Sequence, residues 1–133
     1  MMITLTAPDG TTVSIDPNRV VRARRTTSGE KGDEGGNPQT RVDWDIMQLV
    51  LEPIDRVASL VKAGLSSFTS PTTMDGSKIW FDALNAVGPL PITPGQRQSG
   101  AKSSIKIMGY RQYVTETPAE VRRVIRDAGG SPV

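Results

Sequence analysis

The sequence predicts an α+β fold of two tandem small units, each an antiparallel β-sheet of hairpins closed by one amphipathic helix. Three observations lead there. Residues 104–130, SIKIMGYRQYVTETPAEVRRVIRDAGG, read as a tight hairpin running into a short helix. A worn copy of that stretch lies at residues 40–64. Thirteen glycines and ten prolines in 133 residues demand many turns, hence mostly β structure with short connections.

In the downstream copy, Ile105 and Ile107 alternate with Ser104 and Lys106, the period of a half-buried strand. Met108-Gly109-Tyr110 supplies the turn and Gln112 to Thr115 the return strand. Thr117 then caps a helix, Pro118 suits its first position because it has no N–H to leave unpaired, and Glu120 completes a capping box. Val121, Val124, Ile125 and Ala128 form one apolar stripe, Arg122, Arg123 and Arg126 face away, and Gly129-Gly130 ends the helix. The spacing that separates Glu52 from Glu116 also separates Gln48 from Gln112, Val50 from Val114, Val57 from Val121 and Val61 from Ile125. Pro53 stands in place of Thr117, which weakens the upstream cap, and Val42 and Trp44 match Ile105 and Ile107 after a one-residue indel. An earlier echo sets Val13-Ser14-Ile15-Asp16-Pro17 against Leu90-Pro91-Ile92-Thr93-Pro94. Two matches in the same order point to a duplication.

From the N-terminus, Met2 to Thr6 alternates as a strand, Pro8-Asp9-Gly10 turns, and Thr11 to Asp16 returns. Asp16-Pro17-Asn18 turns again into a third strand over residues 20–25, with Arg22 and Arg24 on one face. Residues 26–39, almost free of apolar side chains, read as a mobile inserted loop. It is glycine-rich and carries a lysine, but lacks the Gly-Lys-Ser/Thr ending of a phosphate-binding loop. Residues 40–51 make the first hairpin and 53–63 its helix, with Val57, Leu60 and Val61 inward. The predicted organisation is thus a first unit at 1–64, a connector at 65–77 in which Phe68 anchors onto the fold, and a second unit at 78–133. The second unit opens on the strand Lys78-Ile79-Trp80-Phe81. Pro89 and Pro91 make residues 83–92 an edge strand or loop, 94–102 is a polar, basic exposed loop, and the tail 131–133 is floppy unless a partner holds it.

Composition bounds the function. With 36% hydrophobic and 5% aromatic residues the core is aliphatic and modest, and a unit of this size alone is marginal, so the two units pack together or with other chains. The chain has no cysteine, which excludes disulfides and thiolate chemistry, and no histidine, the commonest general acid–base at neutral pH. It contains no run long enough for a membrane span and opens without a signal-peptide pattern, so a cytoplasmic protein without membrane insertion is expected.

The opening MITLTAPDGTTVSIDPNRV, followed by a hairpin and Glu52 with its helix, resembles the small flagellar-operon FlbD family. The family runs from a strand through a turn and an extended segment into a hairpin that enters an E-[ST]-x-E-E-V-type helix. Thr115-Glu116-Thr117-Pro118-Ala119-Glu120-Val121 fits that last motif, and Glu52-Pro53-Ile54-Asp55-Arg56-Val57 is a looser version. The family is single-unit and lacks the 26–39 insertion. The resemblance implies a non-enzymatic accessory protein that acts through contacts, of flagellar or phage-particle type.

Candidate residues fall into three classes. Asp43 with Asp45, and Glu116 with Glu120, are the carboxylates available for acid–base or cation chemistry; Asp43 and Asp45 read as a solvated strand face, and no catalytic residue, cofactor or metal is assigned. Trp80, Phe81, Tyr110 and Tyr113 are candidates for a protein interface in a homo-oligomer or with a protein partner, with core filling as the competing role for Trp80 and Phe81. Arg19, Arg22, Arg24 and Arg25, together with Arg122, Arg123 and Arg126, are the contacts a nucleic acid would use. A net charge of +2 and the lack of interleaved aromatics disfavour that alternative. A non-catalytic structural or accessory role in a larger assembly, by protein–protein contact, is the reading the sequence favours.

Overall fold

Strand β7 (Ile79–Asp82) lies between two hydrophobic clusters and feeds both. Trp80 packs on one cluster, while Ile79 and Phe81, its neighbours on the opposite face of the strand, belong to the other. The computed structural model in which this is seen describes residues 2–26, 37–70 and 79–133. It is α+β. The predicted loop at 26–39 falls largely, and the predicted connector at 65–77 partly, outside the described residues.

The first half contains β1 (Ile3–Thr6), β2 (Thr12–Ile15), β3 (Arg22–Arg25), β4 (Thr40–Asp43), β5 (Met47–Val50) and helix α1 (Ile54–Gly64). The second contains β6 (Phe68–Thr69), β7, β8 (Ala86–Leu90), a short helix α2 (Pro94–Gln98), β9 (Ser103–Ile107), β10 (Tyr110–Val114) and helix α3 (Pro118–Asp127). Every strand pairing is antiparallel. β1 and β2 form a hairpin, β8, β9 and β10 a three-stranded sheet, and a five-stranded sheet runs β5-β4-β3-β7-β6. That last sheet crosses both predicted unit boundaries. β6, from the connector, and β7, from the second unit, extend the sheet of the first, with Ala23 opposite Trp80 and Arg22 opposite Phe81.

One cluster fills the space between this sheet, the β1–β2 hairpin and α1, using Leu5, Ile15, Val42, Val50, Val57, Val61 and Phe68. The predicted anchor Phe68 is fully buried there and stacks on Trp80, their rings 5.9 Å apart. The second cluster gathers Ile79, Phe81, Ile105, Ile107, Val114, Val121 and Ile125 from β7, the three-stranded sheet and α3. The predicted inward faces of both helices are the buried ones, Leu60 being half-buried at the rim.

Apart from α2, which the second half inserts between β8 and β9, each half runs through the same order: two strands, a 3-10 turn, three strands, a helix. Asp16 caps the turn at Pro17–Arg19 by accepting from the Asn18 N–H, and Asp82 caps the turn at Ala83–Asn85 by accepting from the Leu84 N–H. The Thr40 hydroxyl donates to the Glu52 carbonyl at 2.7 Å, and the Ser103 hydroxyl to the Glu116 carbonyl at 3.0 Å. Gly64 lies so close to Pro17 that a Cβ there would sit 2.5 Å from its Cγ, and a Cβ on Gly130 would sit 2.5 Å from the Ala83 carbonyl oxygen. The counterpart of Val13–Pro17 is therefore Ile79–Ala83. The predicted echo at 90–94 is not its equivalent, because Leu90 ends β8 and Pro94 opens α2.

Two loop expectations are corrected. Residues 94–98, expected within an exposed loop, are exposed but helical: they form α2, because Thr93 and Gln96 make a reciprocal capping box around Pro94. The tail is tied down: the Val133 N–H donates to the Gly88 carbonyl at 2.8 Å, and Arg122 Nε donates to the Val133 oxygen at 3.2 Å. Pro89 does lie in an edge strand, β8.

The two long helices start differently. Pro53 gives α1 no side-chain cap; instead the Glu52 carboxylate accepts from the Thr6 N–H and hydroxyl, both at 2.9 Å, and pins the entry of α1 to β1. At α3 the capping box is complete. The Thr117 N–H, then the Thr117 hydroxyl, hold the Glu120 carboxyl below its ordinary range.

Thr117→Ala is expected to cost about 1 kcal/mol in urea unfolding at neutral pH. Because the folded pKa of Glu120 is depressed, its contribution is present above the ordinary glutamate value and is lost as pH falls through the folded one. The stability gap between the parent chain and Glu120→Gln should accordingly close in acid, which thermal melts at a series of pH values would show.

Candidate interaction surface

The face of the five-stranded sheet that carries Phe81 turns polar one strand further on. Arg22 pairs across the sheet with Phe81 on one side and Asp43 on the other, so the three side chains share a face. Ala23, on the opposite face, is in the first core, and strand alternation leaves Arg22 no exit to that side. Arg22 and Asp43 are buried, at 5% and 1% exposure. Arg22 Nε donates to Asp43 Oδ2 at 2.7 Å, and Arg41 Nε donates to Asp43 Oδ1 at 3.0 Å. One buried carboxylate thus takes two guanidinium groups, which offsets the several kcal/mol that desolvating each ion would otherwise cost.

Tyr110, at the start of β10, closes the cluster from above. The Arg22 guanidinium lies 4.2 Å from its ring centre and that of Arg41 5.7 Å. The hairpin of the second half is therefore seated on an ion pair of the first. Several apolar side chains toward this end of the molecule are exposed. Met47 pairs across the sheet with Asp43 and is 48% exposed; Ile46 precedes it in the same turn and is also exposed. Tyr110 keeps 37% of its surface in water, and Met108, at the tip of the β9–β10 turn, keeps 62%.

Met108 has φ +46° and Gly109 φ +93°. Positive φ at both central residues is what a type I′ two-residue hairpin turn requires, and asparagine or glycine normally meets it. A methionine there costs about 1–2 kcal/mol of backbone strain. With so much of its side chain exposed, burial in the fold does not offset that strain.

The residues singled out from the sequence do not form one patch. Phe81 is fully buried in the second core and is withdrawn from the predicted interface, its core role having prevailed. Trp80 lies half-buried between Phe68 and Lys62, whose Nζ is 5.9 Å from the indole centre. Tyr110 is at the junction of the halves. Tyr113, odd-numbered on the same strand, faces the other way and borders a groove of about 390 Å³ with Gln96 and Ala101.

The arginines are likewise scattered. Arg22 is removed from any phosphate by its burial against Asp43. Arg24 Nη1 donates to the Arg25 carbonyl, Arg25 is exposed, and Arg19 pairs with Asp45 at 3.1 Å. Arg122, Arg123 and Arg126 are exposed on α3, with Arg122 engaged by the tail. Asp43 is not part of a solvated face as predicted, because Arg22 and Arg41 draw it inward, and Glu116 is buried. No three acidic side chains among the described residues converge as a metal site would need, and no helix among them is long and apolar enough to cross a membrane.

Sequence reasoning overlooked Met47, Met108 and Arg41. Met108 had a signal, a methionine in a turn position that favours glycine. Arg41 had one in its spacing of two from Asp43, which puts the pair on one strand face; only the addition of Arg22 to that carboxylate depends on pairing across residues 26–39. The chain matches no family model, no curated protein and no solved structure.

Removing Arg22 leaves Asp43 buried with half its compensation, so Arg22→Ala should cost about 3–5 kcal/mol. Arg19→Ala breaks an exposed pair and should cost no more than about 1 kcal/mol. Urea titrations of the two variants side by side would separate a buried junction from surface decoration.

Proposed function

We propose that the chain is a non-catalytic structural or accessory protein that works by protein–protein contact within a larger assembly. The observation that carries this reading is the exposed, backbone-strained Met108 at the tip of the hairpin whose Tyr110 sits on the Arg22–Asp43 pair. Methionine, tyrosine and arginine are the residue types that protein interfaces concentrate, and strain held at an exposed position suggests that the side chain is useful to something outside the fold. The resemblance to the FlbD family supports the same class of role, as does the absence of histidine and cysteine.

The occupant is a second copy of the chain. The patch carries exposed apolar side chains, and both guanidinium groups beneath it are engaged by the Asp43 carboxylate, so a like surface can meet it through apolar contact. Arginines divided between a buried pair, a surface pair and one helix give a nucleic acid no continuous track, which leaves that alternative the weaker one.

Light scattering across a range of concentration and salt tests the proposal. Concentration-driven association that persists at high salt is expected, and Met108→Asp should abolish it. Met108→Asn, which suits the positive φ, should raise stability by about 1 kcal/mol while still weakening association. A monomer under all conditions would overturn self-assembly.

A further inference from the structure

The two halves repeat one order of elements, yet their third strands are completed differently. β3 has β4 on one side and β7 on the other. Its counterpart β8 has β9 on one side, and among the described residues no strand on the other. What occupies that edge is the tail, whose Val133 N–H donates to the Gly88 carbonyl as a neighbouring strand would. Arg122 holds the Val133 oxygen from the adjacent helix.

Next to this contact opens a groove of about 260 Å³. Leu90 and Ile92 line it with the exposed cations Arg97, Lys102 and Arg122, and no carboxylate is part of the lining. Glu120, on the same helix as Arg122, is committed to Thr117. The site therefore combines an open strand edge, an apolar strip and three positive charges. The first two suit an extended chain that pairs through its backbone, and the third selects its charge.

We infer that the β8 edge and the groove beside it form a docking site for an extended acidic segment of a partner protein, alternating carboxylate and apolar side chains, which adds to β8 as β7 adds to β3. The tail is a placeholder at this edge and gives way when the segment binds. This surface is separate from the one around Met108, so the two can be tested apart.

The test is fluorescence anisotropy of the full chain with a labelled peptide that alternates glutamate and valine. The controls are the same peptide with lysine for glutamate, a version N-methylated on alternate backbone nitrogens, and an oligothymidine. Binding of the acidic peptide alone is expected, weakened at least about tenfold by Lys102→Glu or Arg97→Glu, both at exposed positions that leave the core intact. The N-methylated peptide should fail, because strand addition needs its N–H groups. Val133→Pro removes the tail's donor and should tighten binding several-fold. No binding by the acidic peptide, equal binding of its lysine or N-methylated versions, or indifference to both charge reversals would overturn the inference. So would oligothymidine binding that is lost in Lys102→Glu, which would assign the cations to a nucleic acid. Light scattering of Lys102→Glu should match the parent chain, so failure here leaves self-association standing on its own result.

Discussion

β7 is a strand with no spare face. Its odd-numbered residues, Ile79 and Phe81, complete one core, Trp80 caps the other, and its backbone ladders onto β3. Each half is about the size at which a single core barely outweighs the entropy of ordering its chain. Sharing one strand between two cores makes each half a condition of the other's stability. It also dictates the polar seat at Arg22: with Phe81 on one flank and Asp43 on the other, the arginine has to be buried, and the carboxylate beside it is what makes burial tolerable.

The sheet edges are handled with similar economy. Gln48 donates its side-chain amide to the Leu49 carbonyl on β5, and Gln112 does the same to the Tyr113 carbonyl on β10. Both strands are outermost in their sheets, where unsatisfied carbonyls invite stray pairing. Here the neighbouring side chain occupies them. β8 is treated otherwise, with its edge covered by a single hydrogen bond from the tail.

Much of this was legible in local pattern. The alternation Ile105–Ile107, the capping box at Thr117, the stripe along α3 and the spacing shared by Gln48, Glu52 and Val57 with Gln112, Glu116 and Val121 all report interactions between residues near in sequence. The glutamines do sit in the same local role. What stayed hidden depends on partners far along the chain. Nothing within residues 78–81 says that the strand crosses to β3, so Phe81 remained balanced between core and surface. Arg22 looked like one of a basic cluster because Asp43 lies beyond the 26–39 insertion. The likeness of Asp16 and Asp82 was missed because an aspartate and a following 3-10 turn are all that the two segments share, while the more similar letters at 90–94 build something else.

The glycines at the two helix ends set an order on the way the chain comes together. Gly64 rests against Pro17 and Gly130 against Ala83, so in each half the end of the closing helix meets a turn made well before that helix. A growing chain that has produced β1 to β5 still lacks α1, which packs on them, and β7, which extends their sheet; after Ala83 the second half waits in the same way for α3. Synthesis therefore passes through two long intervals in which strands are present before the elements that cover them. A protein built in this way has reason to keep its outer strand edges occupied from the start, which is what Gln48 and Gln112, each reaching no further than the next residue, are able to do before anything distant has arrived.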